Sequence, residues 1–295
     1  MKLALSVWLL LLMVMICFAA NSVITRYLVL VSRVSPFLLT VVRFVSGLVT
    51  LIVLTSVRPT TFQRVGLDFS YLPGALFLGA YAFSISYGYL FIPVAAGTFI
   101  FYTFVVVTMG AYSVIHDKEE LTFRLILGQV LGVIGVLVIT FAKMSSVTLL
   151  GVFLMAVTGS SWGLYSAYGK KFTIAFNYTY NSFLIFAVVA IISSTIVVIS
   201  CEPISVNISL QDLGLALYMG MVSTALSYAL WNSTLKKIPS SLAGLVQLVV
   251  PIFAPVMSII FLGEQVTVTL ILGGGFVLVG IYLAGTKQIQ KPRVM

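Results

Sequence analysis

Ten apolar runs, each about as long as a helix that crosses a bilayer, occupy most of this 295-residue chain. Their approximate limits are 5–25, 36–57, 71–91, 94–115, 124–142, 148–168, 179–200, 211–231, 240–262 and 267–285. A helix rises about 1.5 Å per residue, so roughly 20 apolar residues span a hydrocarbon core about 30 Å thick. Lipid offers a backbone no hydrogen bonds, and a helix satisfies its own. The connections are too short to hold a soluble domain. Composition agrees: 61% of residues are hydrophobic and 8% charged, whereas a soluble domain carries about 25% charged residues. The predicted fold is an all-α membrane protein of ten transmembrane helices.

The first run begins after Lys2 and ends near Phe18-Ala19-Ala20, much as a secretory signal does. Its apolar stretch exceeds the usual core of about 7–15 residues and continues through Val23 and Ile24, so it reads as the first span. The net charge of +9 is spread as single or paired basic residues between apolar runs, which suits membrane orientation and not nucleic-acid binding. Two cysteines, Cys17 and Cys201, and a single histidine, His116, support neither a disulfide framework nor a metal site. No nucleophile–base pair is apparent, so an enzyme is not expected, nor is a cofactor.

Lysine and arginine placement sets the orientation. With the N-terminus in the cytoplasm, twelve basic residues fall in inside segments, among them Lys118, Lys170, Lys171, Lys236 and Lys237. Only Arg26, Arg33 and Lys143 fall outside, and Arg43 lies within the second span. The expectation is an integral protein of the cell (plasma) membrane, in contact with its lipids, with both termini cytoplasmic.

The spans also repeat. Residues 79–87 read GAYAFSISY and residues 220–228 read GMVSTALSY, sharing Gly79/Gly220, Ser86/Ser227 and Tyr87/Tyr228. Ala96-Gly97 then faces Ala243-Gly244, Glu119 faces Glu264, and Gly128 and Gly135 face Gly273 and Gly280. The halves are residues 1–142 and 148–285, with 286–295 as a cytoplasmic tail. Because each half holds five spans, the second enters from the opposite side. Such inverted repeats are typical of secondary transporters, whose substrate site lies between the halves near the midplane.

The ninth run carries Pro251 and Pro255 on one helix face with Gly244, Gln247 and Ser258. Each proline frees a carbonyl that neighbouring helices, water or a solute must satisfy. In full the stretch reads Leu248-Val249-Val250-Pro251-Ile252-Phe253-Ala254-Pro255, followed by Phe261-Leu262-Gly263-Glu264. With Pro36…Arg43, Ala96-Gly97 and Gly273…Gly280-Ile281-Tyr282, these motifs run through nearly the whole chain. They resemble the ten-helix EamA-type members of the drug/metabolite transporter superfamily. The resemblance implies a polytopic transporter of small metabolites with a central cavity and alternating access. The chain departs from the family at Phe101-Tyr102-Thr103-Phe104, where a proline is common, and at His116-Asp117, where Leu-Gly is usual. Some amino-acid exporters of the superfamily look similar in this respect.

Arg43 is the one ionisable residue deep within a span. It reads either as a counter-charge for a substrate carboxylate or phosphate, or as a structural arginine bound to backbone carbonyls. Acidic residues all map to span ends or loops, which disfavours proton-coupled export of organic cations. Glu119 and Glu264 are expected to cap the fifth and tenth helices. Polar-aromatic stripes supply the other site candidates: Tyr81, Ser84 and Tyr87 in span 3, Thr98 and Tyr102 in span 4, Trp162 and Tyr165 in span 6, Ser227 and Tyr228 in span 8. Asn21 and Gln247 add amides. Trp231 and Tyr168, near span ends, read as interfacial belt residues. The function expected is a secondary transporter or exporter of small polar metabolites, foremost amino acids and aromatic ones among them. The alternatives are a sugar-phosphate or nucleotide-sugar antiporter and a non-transporting membrane protein. Oligomeric state is not legible.

Overall fold

A computed structural model describes residues 5–57, 68–120, 122–140, 148–200, 208–262 and 268–288. Among these every regular element is helical. In chain order they are α1 (Leu5–Arg26, prolonged by a π-helical turn Tyr27–Val31), α2 (Pro36–Val57), α3 (Leu72–Gly88) and α4 (Val94–Ile115). Then follow α5 (Phe123–Thr140), α6 (Leu149–Gly169), α7 (Ala175–Ser200) and α8 (Leu210–Leu235). The ninth rod, α9, is built from Ser240–Val246, Gln247–Val249 and Val250–Leu262, and α10 is Val268–Gln288.

By length and composition, 7 helices can cross a membrane, and the apolar parts of three more, Phe123–Val138, Ser240–Ala254 and Ile271–Ala284, are shorter in their described stretches. Boundaries differ from the sequence reading where helix ends are polar but buried. Ala175, Phe176 and Tyr178 face inward around the polar Asn177, so α7 begins at Ala175 although hydropathy alone places its start at 179. Likewise α8 runs to Leu235, one turn past its expected end, because Asn232 and Thr234 are buried.

Local chemistry sets several starts. Thr148 Oγ1 accepts from the Gly151 N–H (3.1 Å) and Ser209 Oγ from the Asp212 N–H (3.1 Å), serving donors that a first turn leaves bare. Pro93 and Pro239 stand just before α4 and α9, at matching places in the two halves.

Small residues let the rods approach closely. A Cβ on Gly128 of α5 would come within 2.5 Å of the Gly280 carbonyl oxygen in α10, and one on Gly280 within 2.5 Å of the Gly128 oxygen. One helical stretch away, a Cβ on Gly135 would lie 2.5 Å from the Gly273 oxygen. The four glycines therefore meet as two crossed pairs, backbone on backbone, as in membrane helix dimers. On the other side of the bundle, Gly220 of α8 lies against the Arg43 carbonyl and the Ser46 hydroxyl of α2, where a Cβ would not fit.

Besides the π-helical end of α1, two helices depart from regular α geometry within their length. Residues Met219–Leu226 of α8 widen into a π-helical segment, a feature often associated with functional sites. In α9, Pro251 lacks the N–H that the Gln247 carbonyl would otherwise receive. That carbonyl accepts instead from the Val250 N–H, tightening Gln247–Val249 into a 3-10 turn. Its counterpart α4 runs unbroken.

Outward faces of α1, α5, α7 and α10 present large apolar side chains such as Leu9, Val130, Val189 and Leu278. In water this would be an association hazard, whereas lipid tails accept it. The inner faces hold the largest buried side chains, including Trp162, Trp231, Arg43, Tyr165 and Tyr228.

Candidate functional site

Arg43 sits in the middle of α2 and is 0% exposed. The π-helical segment of α8 brings Thr224 beneath it, and the next turn supplies Tyr228. Arg43 Nε donates to Thr224 Oγ1 at 2.7 Å. Its Nη2 donates to the hydroxyls of Tyr81 (3.0 Å) and Tyr228 (2.8 Å), and those two hydroxyls lie 2.8 Å from one another. Asn21 Nδ2 reaches Tyr81 at 3.5 Å. The guanidinium carbon is 5.1 Å from the Phe44 ring and 5.5 Å from the Tyr81 ring, within range of a cation–π attraction. Arg43 is thus anchored by hydroxyls from α3 and α8, not by the backbone carbonyls that a purely structural arginine was expected to use.

Aromatic rings close around this charge. Trp162 of α6 lies 5.1 Å from Tyr81, 4.5 Å from Tyr228 and 5.5 Å from Tyr165. Phe18 of α1 meets Trp162, Tyr228 and Trp231 edge-on at 5.3, 5.7 and 5.9 Å. Trp162 Nε1 donates to Gln247 Oε1 at 2.7 Å, so the 3-10 turn of α9 carries its amide to the cluster. Gln247 Nε2 donates in turn to the Ala243 carbonyl (3.3 Å) and lies beside Met109 Sδ (3.4 Å). Tyr102 stacks on Phe101, whose ring is 5.9 Å from Tyr81. The centre is closed, since these side chains are all almost fully buried.

Of the residues singled out from sequence, Asn21, Arg43, Tyr81, Tyr102, Trp162, Tyr165, Tyr228 and Gln247 meet here. Ser84 lies alongside, with its Oγ 2.8 Å from Thr158 Oγ1. Ser227 binds the Ser223 carbonyl (2.6 Å) and faces an apolar cleft of about 380 Å³ between α1, α2, α7 and α8. Thr98 turns its hydroxyl to the Val94 carbonyl at 2.8 Å. Tyr87 is not brought in: at 38% exposure it lies on the outer face of α3. It follows Ser86 by one residue, so a helix turns it about 100° away.

The sequence reading missed two members. Trp231 is a core residue, not a belt residue: it is 0% exposed and its Nε1 donates to Ser166 Oγ at 3.0 Å. Its spacing of three from Tyr228 was the available signal. Phe18, an aromatic in an apolar run, gave none.

At one end of the bundle a polar latch joins α4, α6 and α9. Asp117 Oδ2 accepts from Ser240 Oγ (2.5 Å) and pairs with Lys170 Nζ (3.4 Å), which also donates to the Ile238 carbonyl (3.1 Å). Glu119 accepts from the Ser240 N–H (3.1 Å) and Ser241 Oγ (2.6 Å). It therefore caps α9 and not α5, whose first turn is served by Thr122 Oγ1 bound to the Leu125 N–H (3.3 Å). The left-handed Lys118 (φ 54°) swings the chain so that Glu119 reaches across. Glu264 lies outside the described residues. At the opposite end Arg26 donates to the Tyr89 and Ile92 carbonyls. His116 stacks on Tyr112 at 4.4 Å, and no group of three His, Cys, Asp or Glu residues fit to hold a metal occurs among the described residues.

A bundle of long apolar helices around a buried, hydrogen-bonded arginine and a ring of aromatics is the build of a polytopic membrane protein. The EamA-like transporter family matches residues 5–141 and 149–286, and the chain belongs to that family. It is 28% identical, over 90% of its length and 91% of the relative's, to an uncharacterised protein of Pseudomonas aeruginosa. It is 26% identical to an uncharacterised transporter of Clostridium kluyveri (83% and 82% covered) and 25% identical to the uncharacterised transporter YoaV of Bacillus subtilis (85% and 87%). A crystal structure of a protein at 16% identity superposes with a TM-score of 0.79 over 97% of this chain and 98% of that one, sharing its fold.

Proposed function

We propose that this chain is a secondary transporter of small polar metabolites, foremost amino acids and aromatic ones among them, working by alternating access in the plasma membrane. All ten rods cross the bilayer as two inverted five-helix repeats, with both termini cytoplasmic. The carrying observation is the composition of the central cluster: Phe18, Asn21, Arg43, Tyr81 and Tyr102 come from the first half, and Trp162, Tyr165, Tyr228 and Gln247 from the second. A site shared between halves is remade whenever they rock against one another. The crossed glycine pairs support the repeat. A two-fold that exchanges Gly128 with Gly273 and Gly135 with Gly280 turns the Gly128–Gly280 contact into the Gly273–Gly135 contact, and both occur.

Buried aromatics bearing hydroxyl and indole donors suit a solute with a flat apolar body and a polar head. The closed cluster corresponds to an occluded stage of the cycle. The latch at Asp117, Glu119, Lys170 and Ser240 holds one end shut, on the cytoplasmic side of the proposed topology. The test is flux of labelled amino acids in proteoliposomes holding the full chain. Saturable uptake of aromatic amino acids is expected, and no flux of any solute across a broad metabolite panel overturns the transporter reading.

A further inference from the structure

The central cluster is rich in donors and short of acceptors. Arg43 uses Nε and Nη2, but its Nη1, fully buried, has no hydrogen-bond partner among the described residues. The tyrosine pair leaves another donor over. Both hydroxyl oxygens accept from Nη2, and one hydroxyl proton bridges the 2.8 Å between them. Two hydroxyls carry two protons, so whichever bridges, the other has no recorded acceptor. Unpaired donors in a closed apolar interior are costly, more so on a charged group.

Among the described residues nothing buried balances the guanidinium. Among the described residues Arg43 is the only charged side chain in the core. Of the amide oxygens next to the cluster, Gln247 Oε1 accepts from Trp162 Nε1, and Asn21 Oδ1 is neutral and lies 3.3 Å from Thr25 Oγ1, whose single proton goes to the Asn21 backbone carbonyl at 2.7 Å. The buried amide oxygen of Asn232, one turn beyond Tyr228, has no partner, but it is neutral. An anion placed here meets a full charge and spare protons, whereas a cation meets the repulsion of the guanidinium and only neutral oxygens.

Resting on the transporter reading above, we propose that the centre recognises its solute through a carboxylate, with Arg43 Nη1 and a Tyr81/Tyr228 hydroxyl as donors, and that an α-ammonium is tolerated but not required. Aromatic monocarboxylates without an amine are then ligands alongside aromatic amino acids, and aromatic amines are not. The planar guanidinium edge and the flanking hydroxyl match the two oxygens of a carboxylate. The rings of Phe18, Trp162 and Tyr165 take the apolar body.

Three probes that differ only in the head group test this on the purified full-length protein: 3-phenylpropanoate, phenylalanine and phenethylamine. Thermal stabilisation is read against concentration, since a ligand stabilises the state it binds. The acid is expected to stabilise at least as strongly as the amino acid, and the amine at least about tenfold more weakly than the acid, as befits loss of a charge-assisted bond. Stabilisation by the amine equal to that by the acid overturns the proposal. The Arg43→Gln variant, where its unliganded melting and monodisperse elution match the wild type, is expected to weaken the acid by about 10- to 100-fold. Unchanged acid binding in that folded variant also overturns it. If the variant does not fold, the wild-type ranking of the three probes decides. Acid binding without flux leaves the anion site standing and removes the transport reading, while flux that favours the amine does the reverse.

Discussion

Arg43 shows how one side chain organises several helices. Its Nη2 holds Tyr81 of α3 and Tyr228 of α8, and its Nε holds Thr224. Removing a hydroxyl leaves a charged donor partly bare, at a cost of about 1.5–3 kcal/mol. Tyr228→Phe and Thr224→Val are therefore expected to lower the melting temperature in detergent, whereas Tyr87→Phe, at an exposed position, leaves it unchanged. Much of this site is legible in the sequence. Arg43 stands out because an ionisable residue inside a span is rare, and Trp162, Tyr165 and Tyr228 because they recur at helical spacing with small polar residues. Phe18 is not legible, since among apolar neighbours nothing marks which aromatic turns inward. Trp231 is hidden by hydropathy, which ends α8 before the buried Asn232 and Thr234.

At the scale of the element, α9 owes its shape to Pro251. With Ala there, the Gln247 carbonyl regains its N–H partner and the 3-10 turn reverts to regular helix. Gln247 then rotates away from Trp162 Nε1. Pro251→Ala is expected to keep or raise thermal stability while slowing flux, and a variant with unaltered transport would show that the break is incidental. The α5–α10 contact allows a sharper comparison. Gly128→Ala or Gly280→Ala forces a methyl against a backbone carbonyl, which costs about 1–3 kcal/mol. Gly275→Ala, with open space around its Cβ position, changes stability little. The pairing of these glycines was readable as a repeat match between halves, but their crossing was not, because a match in register does not say which partners touch. Glu119 teaches the same limit: its spacing suggested a cap for α5, and only the left-handed turn at Lys118 directs it to α9.

At the scale of the molecule, the proposed orientation and the latch are both open to experiment. Single cysteines replacing Lys171 and Arg33 are expected to react with an impermeant maleimide from opposite sides of the membrane. Labelling of both from one side would overturn the topology. Glu119→Gln weakens the hold on the α9 N-terminus, which favours a carboxylate over an amide. With the latch loosened, the end at Ser240 opens more often, and a cysteine replacing the buried Leu242 is expected to label faster in Glu119→Gln than in a background that keeps Glu119.

The buried guanidinium also sits in whatever voltage the membrane sustains. One charge crossing the full field is worth about 2.3 kcal/mol per 100 mV. A carrier that shifts Arg43 through part of that field while empty, and neutralises it with an amine-free monocarboxylate when loaded, feels the potential on only one leg of its cycle, whereas a zwitterionic amino acid leaves both legs charged. Imposing a potassium diffusion potential on the proteoliposomes is thus expected to change the rate of net 3-phenylpropanoate flux but to leave its exchange almost untouched. The arginine would make the protein a voltmeter for its own return stroke.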